Sequence, residues 1–306
     1  MTPAPAPGPH LALVGPTASG KSALALEVAR RLPDVELVSV DSMQVYRGMD
    51  VGTAKPTPAE RAEVPVHLLD LADPADEYSV AEFQAAALSV VAAIEARGHR
   101  ALLVGGTALY LRAVVDRLDL PPQFPLVRAE LEAEPDTAAL HGRLAVADPQ
   151  AAARMEPGNR RRVVRALEVV VGSGRPFSSF GPGLHAHPPT GFRLAGVWLP
   201  RPVVSARIAA RLAAMVDGGL VDEVRALAGR PGGLSRTAAE ALGYREVLRF
   251  LAGGCTLDEA VDEAVRRTRA FARRQRMWFR RDPRVTWYGA AENSFAVLPA
   301  LLGDWG

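Results

Sequence analysis

The chain has 306 residues, of which 48% are hydrophobic and 23% are charged, and its formal net charge is only +2. This is the composition of a globular protein with enough length for one large domain or two small ones. The single cysteine, Cys255, cannot form an internal disulfide, which fits a reducing, cytoplasmic location. Residues 1–9 have no basic start and no long apolar segment, so they are predicted to be a disordered leader and not a signal peptide. No apolar run is long enough to span a membrane, so no membrane partner is expected.

The amino-terminal third alternates short apolar segments with helical ones. The first strand is followed by a helix to about Leu32, a capping box at Ser79 opens a helix that ends near Gly98, and another helix begins at Thr107. This alternation predicts right-handed crossovers and a parallel sheet with ligands at its carboxyl edge. The predicted strands cover residues 10–15, 35–40, 67–71 and 100–106.

The alternation stops after Val115. Residues 116–190 look helical, with proline-rich joints, and residues 192–199 again read as a strand. Residues 202–282 are mostly helical, and 285–288 form a short late strand. The predicted fold class is therefore α/β, with a P-loop NTPase-like parallel sheet flanked by helices. Its catalytic core covers residues 10–115 and 191–290, and a helical insertion domain covers 116–190.

A phosphate-binding loop lies between the first strand and the first helix, where its motif G-x-x-x-x-G-K-[ST] requires it. Backbone N–H groups and the helix N-terminus would hold a di- or triphosphate, Lys21 would reach terminal oxygens, and the Ser22 hydroxyl would meet Mg²⁺. The motif does not identify the diphosphate compound, for which ATP is the default. The predicted diphosphate-binding residues are Gly15, Pro16, Thr17, Ala18, Ser19, Gly20, Lys21 and Ser22.

Asp41 follows the second strand, twenty residues after the phosphate loop. It could cap a turn, bind magnesium in a nucleotide kinase, or act as a general base. Its place at a strand end beside the phosphate-loop strand favours a role in the site. The residues alone leave a kinase and a transferase open.

Several longer motifs resemble the tRNA dimethylallyltransferase (tRNA isopentenyltransferase) family. They are DSMQVYRGMDVGTAKP (41–56), YSVAEF (78–83), VGGTALYLRA (104–113), RRVVRALEVVVGSGRP (161–176), LGYREV (242–247) and RRTRAFARRQRMWFRR (266–281). The resemblance runs from about residue 10 to 288. It implies transfer of the dimethylallyl group from dimethylallyl diphosphate to the exocyclic N6 of the adenine immediately 3′ of the tRNA anticodon.

The resemblance also implies roles for individual residues. Asp41 would be the base at the adenine amine, and Thr107 would bond the adenine or hold the reacting groups. The insertion would clasp the anticodon stem-loop, and the protein would be monomeric with Mg²⁺ as its cofactor. The tRNA-binding residues would be Asp41, Ser42, Met43, Gln44, Thr107, Arg128, Arg161, Arg162, Val163, Val164, Arg165, Glu240, Ala241, Leu242, Gly243, Tyr244, Arg245, Arg273, Arg274, Gln275, Arg276 and Arg280.

Some positions depart from the usual family pattern. Ser22 and Met277 stand where threonine is common, and Val66-His67 stands where paired histidines are common, so His67 is assigned no role. Only two of the 36 basic residues are lysines, Lys21 and Lys55. Lys55 is expected either to serve the tRNA or phosphate site or to be a surface lysine kept by chance.

Two rival interpretations remain beside the transferase. The first is a P-loop kinase for a nucleotide or small molecule, and the second is an RNA-binding P-loop ATPase. The arginine-rich end of the helix after Asp258 favours a partner with a phosphate backbone over a self-contained kinase. Taken alone, that helix is more simply explained as a solvated helix whose charges match its own dipole.

Overall fold

The computed structural model describes residues 8–181, 183–184 and 186–306, and it divides into two compact units. One unit combines the chain up to residue 115 with residues 189–306, and the other is 116–188. The predicted insertion boundary of 190 therefore lies two residues beyond the observed one. Gly8 and Pro9 of the predicted leader are exposed coil, and residues 1–7 lie outside the described part of the chain.

The larger unit is built on one six-stranded sheet in which every pair of neighbours is parallel. Its strand order is β3-β2-β4-β1-β5-β6, so helices cross over both faces. The predicted parallel α/β fold is confirmed. The strands are β1 (His10–Val14), β2 (Val35–Val40), β3 (Val66–His67), β4 (Arg100–Gly105), β5 (Phe192–Trp198) and β6 (Val285–Gly289).

The central strands are mostly apolar because helices cover both of their faces. Every residue of β1 and β2 is buried. The helices before the insertion are α1 (Lys21–Arg31), α2 (Pro58–Glu63), α3 (Val80–Ala96) and α4 (Ala108–Val115). Ser79 caps α3 as predicted, since its side chain accepts from the Glu82 amide and the Glu82 carboxylate accepts from the Ser79 amide.

The smaller unit is helical throughout its secondary structure and has a hydrophobic core of its own. Leu140, Leu144, Val163 and Leu167 are among its buried residues. Its helices are α5 (Pro125–Ala133), α6 (Thr137–Ala147), α7 (Pro149–Ala153) and α8 (Arg160–Ser173).

The chain after the insertion continues the larger unit with helices that flank the last two strands. A helix at the carboxyl end buries Trp305 against this unit's core, although the predicted core stopped at residue 290. The helices are α9 (Arg201–Asp217), α10 (Leu220–Ala228), α11 (Arg236–Ala239), α12 (Tyr244–Leu251), α13 (Leu257–Phe279) and α14 (Leu298–Trp305).

The third strand is shorter than predicted. Only Val66 and His67 pair with β2, and the chain then turns, with positive φ angles at Leu68 and Asp70. The turn directs the Asp70 carboxylate to the Lys55 ammonium and the Arg61 guanidinium. The prediction of a strand over 67–71 was wrong because the chain leaves the sheet after His67, where Asp70 forms these ion pairs.

One buried carboxylate ties the amino end of β2 to its surroundings. Glu36 is 5% exposed and accepts hydrogen bonds from Arg97, His67 and His99. Burial by itself would raise the pKa of Glu36, but these hydrogen bonds outweigh it and lower that pKa to about 2.

This lowered pKa predicts a loss of stability in acid. Unfolded glutamate has a pKa near 4.3, so the Glu36 contribution should be complete above that pH and fade as the pH falls towards 2. We expect Glu36→Gln to lower the free energy of unfolding by on the order of 2 kcal/mol at pH 7. Urea unfolding from pH 2 to 7 would measure this, and a constant difference between the two proteins would contradict it.

Candidate active site at the carboxyl edge of the sheet

Three loops meet at one edge of the sheet because β2, β4 and β1 are adjacent in the strand order. They are the phosphate loop after β1, the segment that begins at Asp41 after β2, and the Gly106-Thr107 turn after β4. The Ser42 amide donates a hydrogen bond of 3.2 Å to the Thr107 hydroxyl oxygen, which joins two of them. The structure thus brings Asp41 and Thr107 to the same edge as the phosphate loop.

The phosphate loop has a backbone shape that only particular residues allow. Gly20, the residue before α1, has φ of +83°, and a Cβ there would lie 2.2 Å from the Ser294 hydroxyl oxygen. Ala18 also has a positive φ, of +61°. The first amides of α1 lack partners within the helix, so the loop and helix together present a ready anion site.

Lys21 is the cation at the centre of this site. Burial lowers its pKa to about 8, the negative charge of Asp41 opposes that shift, and the positive charge of Arg211 adds to it. Lys21, Asp41 and Arg211 therefore interact in one electrostatic cluster. An anion bound in the loop would favour the charged lysine and raise its pKa again.

Asp41 caps the turn after β2, and its charge also acts on the cationic groups near the phosphate loop. One carboxylate oxygen accepts the Met43 amide at 2.9 Å and so holds the turn at the start of the loop. The side chain is only half-buried, and Asp41 faces Lys21 and Arg211 electrostatically. It also contributes to raising the pKa of Tyr110, whose largest cause is burial.

Gln275 has a different role from the predicted tRNA contact. It is 6% exposed, its side-chain oxygen accepts the Thr17 amide at 2.8 Å, and its side-chain nitrogen donates to the Gly106 carbonyl at 2.9 Å. A Cβ on Gly106 would lie 2.2 Å from that nitrogen. Gln275 therefore holds two loops of the site together and has no free polar atom pointed at a ligand.

Two arginines of α9, Arg207 and Arg211, were left without a role by the sequence interpretation. Arg207 donates to the Glu292 carbonyl at 2.7 Å, and one of its terminal nitrogens would lie 3.4 Å from a Cβ on Gly20. Burial lowers the pKa of Arg211, and Asp41 opposes this shift. The available signal was their spacing of four residues, which places them on one face of a helix directly after a core strand.

Lys55 is neither a surface lysine nor a phosphate ligand, so both expectations were wrong. Its side chain is 1% exposed, and its ammonium donates to the Tyr46 carbonyl at 2.6 Å, to Asp50 at 2.7 Å and to Asp70 at 2.6 Å. Three oxygens match the three donors of an ammonium. Lys55 thus fixes the fold of the 41–56 segment from within.

The far end of the same segment is held by α10 and α12. The Glu223 carboxylate accepts the amides of Asp50, Val51 and Gly52 and also the Tyr244 hydroxyl. Tyr244 is 0% exposed, and burial raises the pKa of its phenol. The Tyr244 side chain is therefore not accessible to tRNA, and the predicted contact was wrong. Tyr244 instead supports the 41–56 segment through Glu223.

Of the other predicted tRNA contacts, some are buried or hydrogen-bonded within the protein and others are exposed to solvent. Val163 and Val164 lie in the core of the insertion, and Arg165 is paired with Glu168 and the Pro121 carbonyl, so these three are structural. Ala241 and Gly243 are buried and Leu242 is half-buried, whereas the Gln44 amide bonds Ser39, Thr53 and Ala54. Arg128 is half-buried and pairs with Glu132. The exposed members are Arg161, Arg162, Glu240, Arg245, Arg273, Arg274 and Arg280.

Neither a preformed metal cluster nor a membrane segment is found in the described residues. They contain no group of three or more His, Cys, Asp or Glu side chains arranged to hold a metal ion. Their helices also lack the combination of length and apolar composition that crossing a membrane would need.

The fold and the site together define a P-loop α/β protein in which Asp41, Thr107 and the phosphate loop lie at one edge of the sheet. A family model described as IPP transferase matches residues 44–282, and the chain belongs to this family. A tRNA dimethylallyltransferase of Streptomyces coelicolor is 51% identical over 98% of this chain and 96% of the relative. One of Nocardioides is 47% identical over 99% of both chains.

The solved structures of two enzymes have the same fold as this chain. The full-length tRNA isopentenylpyrophosphate transferase of Bacillus halodurans is 38% identical, with a TM-score of 0.71 over 97% of this chain and 96% of that one. A eukaryotic dimethylallyltransferase acting on tRNA has a TM-score of 0.79 over 98% of this chain and 80% of that one. Its 22% identity supports the fold alone.

The lowered pKa of Lys21 predicts how diphosphate binding depends on pH. The free protein loses the lysine charge as the pH rises through about 8, whereas bound diphosphate would keep the lysine protonated. Affinity for dimethylallyl diphosphate should therefore be constant below pH 7.5 and fall by up to about tenfold per pH unit above 8. Titration calorimetry from pH 7 to 9.5 would measure it. Lys21→Gln should bind weakly at all these pH values, and an equal decline in both proteins would contradict the assignment.

Proposed function

We propose that this prenyltransferase moves the dimethylallyl group of dimethylallyl diphosphate to the exocyclic N6 of the adenine immediately 3′ of the anticodon in tRNA. The products are N6-isopentenyladenosine and diphosphate. The observation that carries the proposal is the meeting of Asp41 and Thr107 with the phosphate loop at one sheet edge, in a chain of the IPP transferase family. An acceptor beside Asp41 would face the carbon whose bond to diphosphate breaks.

The acceptor amine needs help because its lone pair is delocalised into the adenine ring. We assign Asp41 as the base that takes one N6 proton while the new C–N bond forms and the C–O bond to diphosphate breaks. Thr107, already bonded to the Ser42 amide, would orient the base or the reacting groups. The adenine is stacked within its loop, so it must be flipped into the pocket.

Diphosphate is a good leaving group once its charge is taken up. Lys21, the loop amides and the amino end of α1 would provide this, with Arg207 and Arg211 approaching from α9. Burial lowers the pKa of Lys21 and of Arg211, so an anion bound beside them would favour their charged forms. The same groups would make the loop selective for a diphosphate over a neutral ligand.

Magnesium fits this site only as a partner of the diphosphate. The Ser22 hydroxyl is exposed at the second residue of α1, and the described residues offer no cluster of acids that would hold a metal ion alone. Mg²⁺ commonly combines one or two protein oxygens with substrate phosphates. We therefore expect Ser22 to hold the ion together with diphosphate oxygens, where it would neutralise charge on the leaving group.

The tRNA would be held by exposed arginines. Arg161 and Arg162 on α8 and Arg273, Arg274 and Arg280 on and after α13 are exposed. Such residues bind a phosphate backbone regardless of sequence, with an affinity that falls as salt rises. A tRNA substrate and the single free cysteine favour a cytoplasmic location.

Replacing Asp41 tests the base. Asp41→Asn keeps the size and the turn but cannot take the proton, so kcat should fall by about 10²-fold or more while tRNA affinity changes little. Single-turnover transfer and filter binding would separate the two quantities. Asp76→Asn removes an exposed acid whose side chain makes no hydrogen bond or ion pair within the described residues, and it should match the parent. Turnover of Asp41→Asn within a few-fold of the parent would leave Asp41 as a turn cap only.

The donor and the acceptor can be tested in one assay. Incubation of the protein with Mg²⁺, tRNA and labelled dimethylallyl diphosphate should label a single adenine of the anticodon loop. The label should vanish when that base is guanine, and labelled ATP should give no phosphoryl transfer to any nucleoside. Phosphate transfer from ATP without the prenyl compound would replace the transferase with a kinase. ATP at saturating concentration should compete only weakly, because the loop grips phosphates and not the rest of a ligand.

A further inference from the structure

A cavity of about 370 Å³ lies in the larger unit, next to Pro16 of the phosphate loop. It is formed by the ends of β5 and β6 together with α9 and α13. In the strand order, β5 and β6 lie on one side of β1, and β4 and β2 lie on the other. Thr107 follows β4, and Asp41 follows β2. The cavity is therefore separate from the place assigned to the reacting adenine.

Two indoles form an apolar wall of this cavity. In the β5–β6 pairing, Gly196 lies opposite Trp287 and Trp198 lies opposite Gly289. Each tryptophan lies against the glycine of the neighbouring strand, since a Cβ on Gly196 would be 2.6 Å from the Trp287 ring and one on Gly289 would be 3.3 Å from the Trp198 ring. Only glycine leaves room for the Trp287 ring at this distance. Both rings stay partly exposed to the cavity.

Positive charge surrounds this apolar wall. The cavity lining includes five arginines and no acid. They are Arg201, Arg269, Arg273, Arg276 and Arg280, and within the described residues none of them is in a salt bridge. The Nε atoms of Arg269 and Arg276 are buried and have no hydrogen-bond partner. Buried donors without an acceptor are costly, so a ligand that supplies an acceptor here would be bound favourably.

The arginines and the indoles are also arranged with respect to each other. The Arg276 guanidinium lies 5.2 Å from the centre of the Trp198 ring, in the range of a cation–π contact. Burial lowers the pKa of Arg276, and the charges of Arg201 and Arg280 add to that shift. An anion beside Arg276 would relieve this crowding. The site therefore suits a flat, apolar ring that carries a phosphate.

We propose that this cavity binds the unpaired base of a second nucleotide of the tRNA substrate, distinct from the adenine that is modified. The base would stack on the Trp287 indole, and its phosphate would accept hydrogen bonds from Arg276 and Arg269. This inference rests on the proposed function, because it takes the substrate to be tRNA. The bound nucleotide would fix the register of the loop so that the neighbouring adenine reaches Asp41.

The surrounding charge favours an RNA nucleotide over a free one. Arg273, Arg274 and Arg280 are exposed, so positive charge extends from the cavity along the surface of α13. A free mononucleotide would leave most of this charge unused, whereas a strand has a phosphate at every residue. Stacking on aromatic side chains together with backbone contacts is how proteins commonly hold unpaired nucleotides.

The test uses the full-length protein and an anticodon stem-loop RNA. Trp287→Leu should weaken binding of this RNA by about 5- to 30-fold at fixed salt, and Trp287→Phe should restore most of the affinity. Arg266→Gln removes a charge from the same helix outside the cavity and should have little effect. Affinity for dimethylallyl diphosphate, measured alongside, should stay at the parent value and would report folding. If Trp287→Leu does not fold, Arg276→Gln replaces it.

An abasic scan of the stem-loop then identifies the nucleotide. Removing one loop base at a time should reveal a position, other than the modified adenine, that weakens binding to the parent protein but not further to Trp287→Leu. Additive losses at every position would overturn the proposal. Saturable AMP binding that is lost in Trp287→Leu, with RNA affinity unchanged, would assign the cavity to a free nucleotide and also overturn it. Absence of prenyl transfer by the parent would instead refute the proposed function, since RNA binding is measured independently.

Discussion

The catalytic edge depends on one buried amide. The Gln275 side chain accepts from the phosphate loop at Thr17 and donates to the turn after β4 at Gly106, so α13 fixes the spacing of two loops that are far apart in sequence. Its two bonds use opposite ends of a single planar group, which leaves little freedom in that spacing. Gly105 and Gly106 allow the close approach, because a Cβ on Gly105 would lie 1.9 Å from the Val40 carbonyl oxygen. The arginine-rich end of α13 is thereby held in a fixed position relative to the phosphate loop and the turn after β4.

The segment after β2 is organised by charges that do not touch a ligand. Lys55 holds it from inside through three oxygens, and Glu223 holds its far end through three consecutive amides. The buried Lys55 ammonium is paired with two carboxylates, as a buried charge requires, and the half-buried Glu223 carboxylate is satisfied by three amides and the Tyr244 hydroxyl. The result is a polar segment with little regular structure that still presents Asp41 and Ser42 in a defined position. This is the rigid support that a flipped adenine would require.

Most of the fold followed from the order of apolar segments. Strands buried on both faces are continuous apolar runs, capping boxes mark where helices begin, and parallel connections have one hand, so the sheet core and the helical insertion were predictable. The length of the third strand was not predictable from the apolar pattern. After His67 the chain turns, and Asp70 forms ion pairs with Lys55 and Arg61. The helix at 298–305 was also missed, since Trp305 and Leu301 are recognisable as core only once the sheet beneath them is known.

The sequence by itself determined the phosphate loop, the strand-end position of Asp41 and Thr107, and the family to which they point. These features are local, because a loop of glycines before a helix or an acid after a strand is defined by its neighbours in the chain. Only the tertiary structure decided which polar residues face a ligand and which face each other. Lys55, Gln275 and Tyr244 have side chains typical of a binding site. Their polar atoms instead bond to protein groups that lie 5 to 258 residues away in the sequence. Conversely, Arg211 joined the site and Trp198 and Trp287 formed a cavity because adjacent strands and helices placed them there.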